Sequence, residues 1–134
     1  MHEFRLEIDL EPVLGFTDPR IRYGINGFDS AELTVDSVQT LSISQVLPTG
    51  DYTFQMELIN KHRNDPTMAV IINNIRVMGI ENYQFIYNSV YNPADQEPLP
   101  AHNYICWPGP WQMHFTSPVY TWIHKQLDLG WIYD

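Results

Sequence analysis

The chain has 134 residues, 44% of them hydrophobic, and its 16 acidic and 7 basic residues give a net charge of −9. This size and hydrophobic content predict one globular domain, residues 1–134, and exclude a disordered chain. The acidic balance, with no cluster of Lys or Arg, argues against nucleic-acid binding because phosphates would be repelled. Without an apolar run of about 18 residues or an apolar leader, we expect no membrane span and no signal peptide.

Alternation of apolar and polar residues dominates the first half of the chain and is typical of half-buried strands. The clearest case is the stretch YTFQMEL at residues 52–58. Turn-forming residues at 26–27 and 48–51 separate such stretches, because glycine accepts positive φ and proline presets φ. The pattern predicts strands at 4–10, 21–25, 33–38, 41–46, 52–60 and 68–77.

The second half of the chain predicts further strands at 83–91, 104–107 and 111–115, with a long loop at 92–100. One helix is predicted to begin near Ser117, which can cap it, with Pro118 in the first helical position and Gly130 as its end. Many short strands separated by turns indicate an all-β fold, an antiparallel, jelly-roll-like β-sandwich with one short C-terminal helix. A closed barrel is the alternative.

Aromatic residues make up 13% of the chain, and they suggest either core packing or a surface that stacks on sugar rings. Alternation explains most of these rings as core residues. Trp107, beside the Pro-Gly-Pro turn, is the best candidate for an exposed ring, and Tyr104 and Trp111 complete the predicted ligand-binding set.

The polar loop at 60–65 is the candidate metal site, since Asn60 and Asp65 offer the oxygen ligands that calcium uses. Asp65 is the only carboxylate there, and Lys61 and Arg63 oppose a cation, so a solvated turn is the alternative reading. The single cysteine, Cys106, cannot form an internal disulfide, which fits a reducing compartment.

Catalytic motifs are missing from the sequence. The five histidines form no H-x-x-E-H, H-E-x-x-H or Cys/His pattern, and no nucleophile elbow, P-loop or dinucleotide fingerprint occurs. No pair among the 16 carboxylates stands out as an acid and base. We therefore expect a protein that is not an enzyme; a lyase or hydrolase on a jelly roll is kept as a third hypothesis.

The order IRYGINGFDS, LPTGDYTFQMELINKH, MAVIINNIRVMGI, over about residues 20–80, resembles small calcium-dependent, xylan-binding carbohydrate-binding modules. Members share a strand with an Asn-Gly turn, followed by a turn of Leu, Pro or Ala, any residue and Gly. A strand ending in Asn comes next, and then one ending in an Ile/Val-rich edge. The resemblance implies sugar binding and a calcium ion, and Asn60 and Asp65 are the positions nearest to the family's acidic ligands.

The segment WPGPWQMHFTSPVYTWIHKQLDLGWIYD resembles the C-terminal part of small structural proteins of tailed bacteriophages. It implies a virion component, such as a capsid decoration, tail or fibre protein, that is assembled in the host cytoplasm; a cytoplasmic protein is the alternative. We expect it to form homo-oligomers or to bind other virion proteins, with neither nucleic acid nor membrane as a partner. The predicted docking surface comprises Val119, Trp122, Ile123, Trp131 and Tyr133.

Two hypotheses for function thus lead. The first is a non-enzymatic virion structural or assembly protein that acts by protein–protein association. The alternative is a carbohydrate-binding module, with or without calcium as its cofactor, built around Trp107, Tyr104 and the loop at 60–65.

Overall fold

The computed structural model describes residues 2–62, 64–82, 84–94, 96–100 and 102–126. Within them the chain forms the strands β1 (His2–Val13), β2 (Arg20–Ile25), β3 (Ala31–Thr34), β4 (Gln39–Leu47), β5 (Gly50–Leu58), β6 (Ala69–Val77), β7 (Ile80–Glu81), β8 (Ser89–Tyr91), β9 (Leu99–Pro100), β10 (Tyr104–Ile105) and β11 (Pro110–Ser117). The helices are α1 (Gln84–Tyr87) and α2 (Val119–Gln126). Neither helix is long and apolar enough to cross a membrane.

The strands form two sheets in which every pair of neighbours is antiparallel. Sheet A has the order β10-β6-β1-β4, with β7 also paired to β6, and sheet B has the order β3-β2-β5-β11-β8-β9. This architecture confirms the predicted fold class, an antiparallel β-sandwich with a short C-terminal helix.

The hydrophobic core lies between the two sheets, and the period-two pattern of the sequence explains it. Alternate residues of β1, β5 and β11 point inward and are at most 2% exposed: Phe4, Leu6, Ile8, Leu10, Phe54, Met56, Leu58, Trp111, Met113 and Phe115. The rings of Phe4 in sheet A and Phe115 in sheet B stack with centroids 4.1 Å apart. One face of each of these strands is therefore core, and the other is left for solvent or a ligand.

The segment predicted as a strand at 83–91 is divided in the structure. Residues 84–87 form α1, whose first turn is capped because the side-chain oxygen of Asn82 accepts the Gln84 N–H at 2.9 Å. Phe85 and Ile86 are adjacent and both buried, which a strand with one wet face does not allow. The predicted loop at 92–100 also contains β9, whose Leu99 pairs with Tyr91.

Helix α2 begins near the predicted position but is not capped as expected. Ser117 is the last residue of β11, and its hydroxyl donates to the Leu47 carbonyl at 3.3 Å. The Ser117–Pro118 peptide bond is cis, and the helix begins at Val119. The predicted helix end at Gly130 lies outside the described residues.

Candidate functional site

The outer face of the β5–β11 pair, here called the polar face, carries neutral hydrogen-bonding side chains. Phe54 and Met113 point into the core, so their neighbours Thr53, Gln55, Gln112 and His114 point outward. The register places Thr53 opposite His114 and Gln55 opposite Gln112. Hydroxyl, amide and imidazole groups thus lie side by side on two paired strands.

Hydrogen bonds order this polar face. The Thr53 hydroxyl and His114 Nδ1 are 2.7 Å apart. The Gln112 side chain donates to Gln55 Oε1 at 3.5 Å and accepts from Asn92 Nδ2 at 3.0 Å. Three amides therefore form a row across the sheet, and each keeps donors or acceptors that the row does not use.

A recess of about 400 Å³ opens at one end of the polar face. Its polar lining comes from Asp51, Asn88, His114 and Thr116, and Trp122 contributes an apolar part. This volume falls within the range of about 300–1,000 Å³ that is typical of small-molecule sites. Its lining combines one carboxylate with amide, hydroxyl and imidazole groups, all of which can hydrogen-bond a polyol.

A second recess, of about 370 Å³, borders the polar face on the β2 side and includes Gln55, Gly24 and Phe28 in its lining. Gly24 lies opposite Gln55 on the outer face of the sheet and leaves room for this recess. A side chain here would crowd the recess, because its Cβ would lie only 3.2 Å from Ser30 Cα. Phe28 is 39% exposed. Asn26 fixes this corner, because its backbone N–H donates to the Thr53 carbonyl at 3.0 Å and its side-chain oxygen accepts the Thr53 N–H.

The predicted ligand-binding residues lie away from the polar face. Trp111 points into the core and is fully buried; its indole N–H donates to the His102 carbonyl at 3.0 Å. It is therefore a core residue and cannot stack on a sugar, which corrects the prediction. Tyr104 is 37% exposed on β10 in the other sheet, and Trp107 is half-buried. Ligand binding by Tyr104 and Trp107 stays a prediction.

The backbone of Trp107 is held by Tyr91. The Tyr91 hydroxyl accepts the Trp107 N–H at 2.9 Å and donates to the Trp107 carbonyl. Burial raises the pKa of the Tyr91 phenol to about 12, so the hydroxyl keeps the proton that it donates even at alkaline pH, where an ordinary tyrosine begins to ionise. This bond connects the loop before β11 to β8, next to Asn92 of the amide row.

The predicted metal residues hold loops together. Asn60 Oδ1 accepts the Arg20 N–H, and its amide nitrogen donates to the Asp18 carbonyl, each at 2.9 Å. Asp65 is buried and accepts backbone N–H groups from Phe16 at 2.7 Å, Thr67 at 2.9 Å and Met68 at 3.2 Å.

These donors hold the pKa of the Asp65 carboxyl well below its usual range, the Thr67 N–H contributing most. The oxygens of Asn60 and Asp65 are thus occupied by the chain itself. Within the described ranges, no three His, Cys, Asp or Glu side chains come together as a metal site. The structure therefore assigns Asn60 and Asp65 to holding loops together, in place of the predicted metal ligands, and calcium binding elsewhere on the chain stays a prediction.

The predicted docking residues on α2 are buried against the chain's own core. Val119, Trp122 and Ile123 are 2%, 5% and 1% exposed. The Trp122 ring stacks on Phe85 with centroids 5.6 Å apart and meets the edge of Phe115. These three residues therefore close the core and offer little surface to a partner. The predictions for Trp131 and Tyr133 fall outside the described residues.

Sequence reasoning missed the polar face, although part of its signal was present. Gln112 and His114 alternate with the apolar residues of β11, and that pattern puts both on one outer face. Their meeting with Thr53, Gln55 and Asn92 depends on strand register and order, which a single strand's pattern does not contain.

Comparison with known proteins shows similarity at the level of fold. No protein-family model and no curated protein matches the sequence. One solved structure that superposes on this chain is the selenomethionine form of vCBM60, from work on circular permutation as an evolutionary link between two families of calcium-dependent carbohydrate-binding modules. It gives a TM-score of 0.57 and 17% identity over 82% of this chain and 89% of that one. A complex of vCBM60 with galactobiose gives a TM-score of 0.52 and 15% identity over 81% and 96%. The chain thus shares the β-sandwich fold of these modules.

Proposed function

We propose that this chain is a non-catalytic carbohydrate-binding module whose site is the polar face of β5 and β11. The observation that carries the proposal is the ordered row of neutral side chains, Thr53–His114 and Gln55–Gln112–Asn92, beside a recess of about 400 Å³. The shared fold with vCBM60, one structure of which contains galactobiose, supports the same reading.

Neutral hydrogen-bonding groups suit a neutral sugar. A sugar hydroxyl both donates and accepts, and amides, hydroxyls and imidazole offer both roles at close spacing. Bonds between neutral groups are modest in net energy, so a ligand can replace them without the loss that separating an ion pair entails. The lining of the first recess contains one carboxylate, Asp51. We therefore expect neutral oligosaccharides to bind more tightly than acidic ones.

Calorimetric titration with galactobiose and with soluble xylan tests the site. We expect Gln112→Ala and His114→Ala each to weaken binding by roughly five- to thirtyfold, since each removes one or two hydrogen bonds worth about 1 kcal/mol apiece. The matched control is Asn73→Ala, which removes an amide from sheet A, where it donates to Glu11 at 3.2 Å. This control is expected to bind like the wild type.

Two results would overturn the proposal. A wild-type chain that retains none of a broad panel of neutral glycans is not a carbohydrate-binding module. Binding that survives Gln112→Ala/His114→Ala but is lost in Tyr104→Ala/Trp107→Ala would keep the function and move the site to the β10 side.

Repeating the titration in calcium and in EDTA tests the metal separately. Because the side-chain oxygens of Asn60 and Asp65 already accept hydrogen bonds from the chain, we expect the two affinities to agree.

The absence of catalysis is part of the proposal. Thr53 and His114 form a hydroxyl–imidazole pair, but a nucleophile of this kind needs a third group to orient the imidazole. No described carboxylate hydrogen-bonds to His114, whose side-chain partner is Thr53. We therefore expect no turnover of any glycan that binds. The virion role and location stay predictions, since neither the fold nor the comparisons bear on them.

A further inference from the structure

The four edges of the two sheets are protected to very different degrees. An exposed strand edge offers unpaired N–H and C=O groups to any other chain, and proteins usually shorten, charge or interrupt it. One edge of sheet A is formed by β10 and β7, with two residues each, and one edge of sheet B by β9, with two residues that include Pro100. The β3 edge has four residues and contains Glu32, which is paired to Arg20 at 2.7 Å.

The remaining edge, β4, has none of these protections. It is nine residues long with the sequence QTLSISQVL, without a charge, proline or glycine. It pairs with β1 on one side, and no backbone hydrogen bond from its other side to another described residue is found. Thr40, Ser42, Ser44 and Val46 are exposed on its outer face, and Val46 is 51% exposed.

Open space flanks this edge on both of its faces. Ser42 and Ser44 border a recess of about 290 Å³ with Arg5 and Gly79 on the outer side of sheet A. Ile43 and Gln45 border another, of about 270 Å³, between β4 and the segment around Phe28. A strand added to β4 would send alternate side chains toward these two recesses.

We propose that β4 pairs antiparallel with β4 of a second copy of this chain, across a two-fold axis at Ile43. Two chains that each carry a net charge of −9 repel each other in general. A nine-residue uncharged strand is where they can meet without bringing like charges together. A two-fold interface must also complement itself. Centred on Ile43, the register places Ser42 opposite Ser44 and Thr40 opposite Val46, pairs that strands accept.

The proposed pairing joins the two A sheets into one continuous sheet. It leaves the polar face of sheet B free in both copies, so it does not depend on the proposed sugar site. It also assigns self-association to β4 instead of α2, whose apolar residues are already buried.

Sedimentation equilibrium over a concentration series, from micromolar to millimolar, tests the proposal. We expect the wild-type mass to rise toward twice the 15.7 kDa chain mass. Ser42→Lys/Ser44→Lys places two like-charge pairs across the axis and is expected to weaken association by about tenfold or more. Ser42→Lys/Ser44→Glu is the decisive variant. Its two substituted positions carry opposite charges and face each other across the axis, so dimerisation should return.

The matched control is Gln96→Lys/Glu97→Gln, which changes the net charge by the same two units at exposed loop positions. It is expected to dimerise like the wild type. A wild type that stays monomeric throughout overturns the proposal, as does a dimer that Ser42→Lys/Ser44→Lys leaves intact. Monomers with protected β4 amides would also overturn it and point to an occupant from the same chain. Should the double-lysine variant not fold, amide exchange of wild-type β4 that slows with concentration supports the proposal, and exchange independent of concentration refutes it.

Discussion

The outer faces of the two sheets differ in the kind of bond that their polar side chains form with one another. On sheet A, Arg76 contacts Glu7 at 3.2 Å, Asp9 at 2.8 Å and Glu81 at 3.2 Å, so charges satisfy one another. On sheet B, ion pairs of Arg20 and Arg22 lie on the β2 side, whereas Gln112 and His114 on β11 form neutral hydrogen bonds across to β5. A ligand can exchange neutral bonds for its own, whereas the ion pairs of sheet A would have to be separated. The polar face of β5 and β11 is therefore the better binding surface.

The largest expected effect comes from a substitution at Gly109, which supports the polar face. Its φ is +128°, and an added Cβ would lie 2.2 Å from the Asn92 carbonyl oxygen and 2.9 Å from the Ala94 nitrogen. Gly109→Ala must therefore displace Asn92 and the amide row. We expect urea denaturation to show a free energy of unfolding lower by about 2–4 kcal/mol, and calorimetry to show weaker glycan binding.

Gly79→Ala separates backbone strain from the steric clash. Gly79 also has positive φ, +81°, but nothing lies within 4 Å of its added Cβ. It is expected to lower the free energy of unfolding by only about 1 kcal/mol, without a change in glycan affinity. Equal losses in the two variants would mean that contact with Asn92 contributes nothing.

Arg76 is the central cation on the outer face of sheet A. Its removal should lower the free energy of unfolding and leave glycan affinity unchanged. Arg76→Ala leaves three carboxylates without their partner, and its side chain is only 24% exposed. We expect thermal or urea unfolding to show a loss of about 1–3 kcal/mol, partly recovered in high salt as repulsion is screened. Glycan affinity is expected to stay at the wild-type value.

Arg22→Ala on sheet B is the matched comparison for Arg76→Ala. Arg22 is 47% exposed and lies 3.8 Å from Glu32 and 3.7 Å from Glu57. Exposed pairs of this kind contribute little, so a change of about 0.5 kcal/mol or less is expected. If Arg22→Ala lowers the free energy of unfolding as much as Arg76→Ala, the ion pairs on the two outer faces contribute equally to stability, and this difference between the sheets is refuted.

Much of the fold could be predicted because strand alternation is a local property. The inward and outward sides of β1, β5 and β11 follow directly from their apolar residues, and burial confirms them. The sequence predicts strand at residues 84–87 because aromatic residues favour strands. The capping bond from Asn82 and the burial of both Phe85 and Ile86 make a helical turn the better solution.

The candidate site was harder to predict, since it depends on contacts between distant segments. Asn92 reaches Gln112 only because β8 pairs with β11. Asp65 looks like a metal ligand in the sequence, yet Phe16, 49 residues away, donates to it. Trp111 shows that alternation does identify a core ring: its neighbours on β11 place it inward, and that pattern outweighs its nearness to the Pro-Gly-Pro turn.

The ion pairs on the outer face of sheet A also predict how stability depends on pH. Hydrogen bonds from Arg76, with smaller contributions from Thr40 and Asn74, hold the pKa of Asp9 well below its ordinary value of about 3.9. A carboxyl whose pKa is lowered by folding adds stability above its unfolded pKa, and this is lost as pH falls toward the folded value. Wild-type unfolding free energy should therefore fall below about pH 4–5.

Asp9→Asn isolates this contribution. Asparagine does not titrate, so the variant's stability should fall less steeply below about pH 4. The gap between the two proteins, of the order of 1 kcal/mol at neutral pH, should narrow as the medium becomes acid. Urea denaturation at several pH values measures it. Parallel curves for the two proteins would show that the Asp9 carboxylate is not stabilised by its partners in the folded state. The outer face of sheet A would then be no more tightly bonded than the polar face of sheet B.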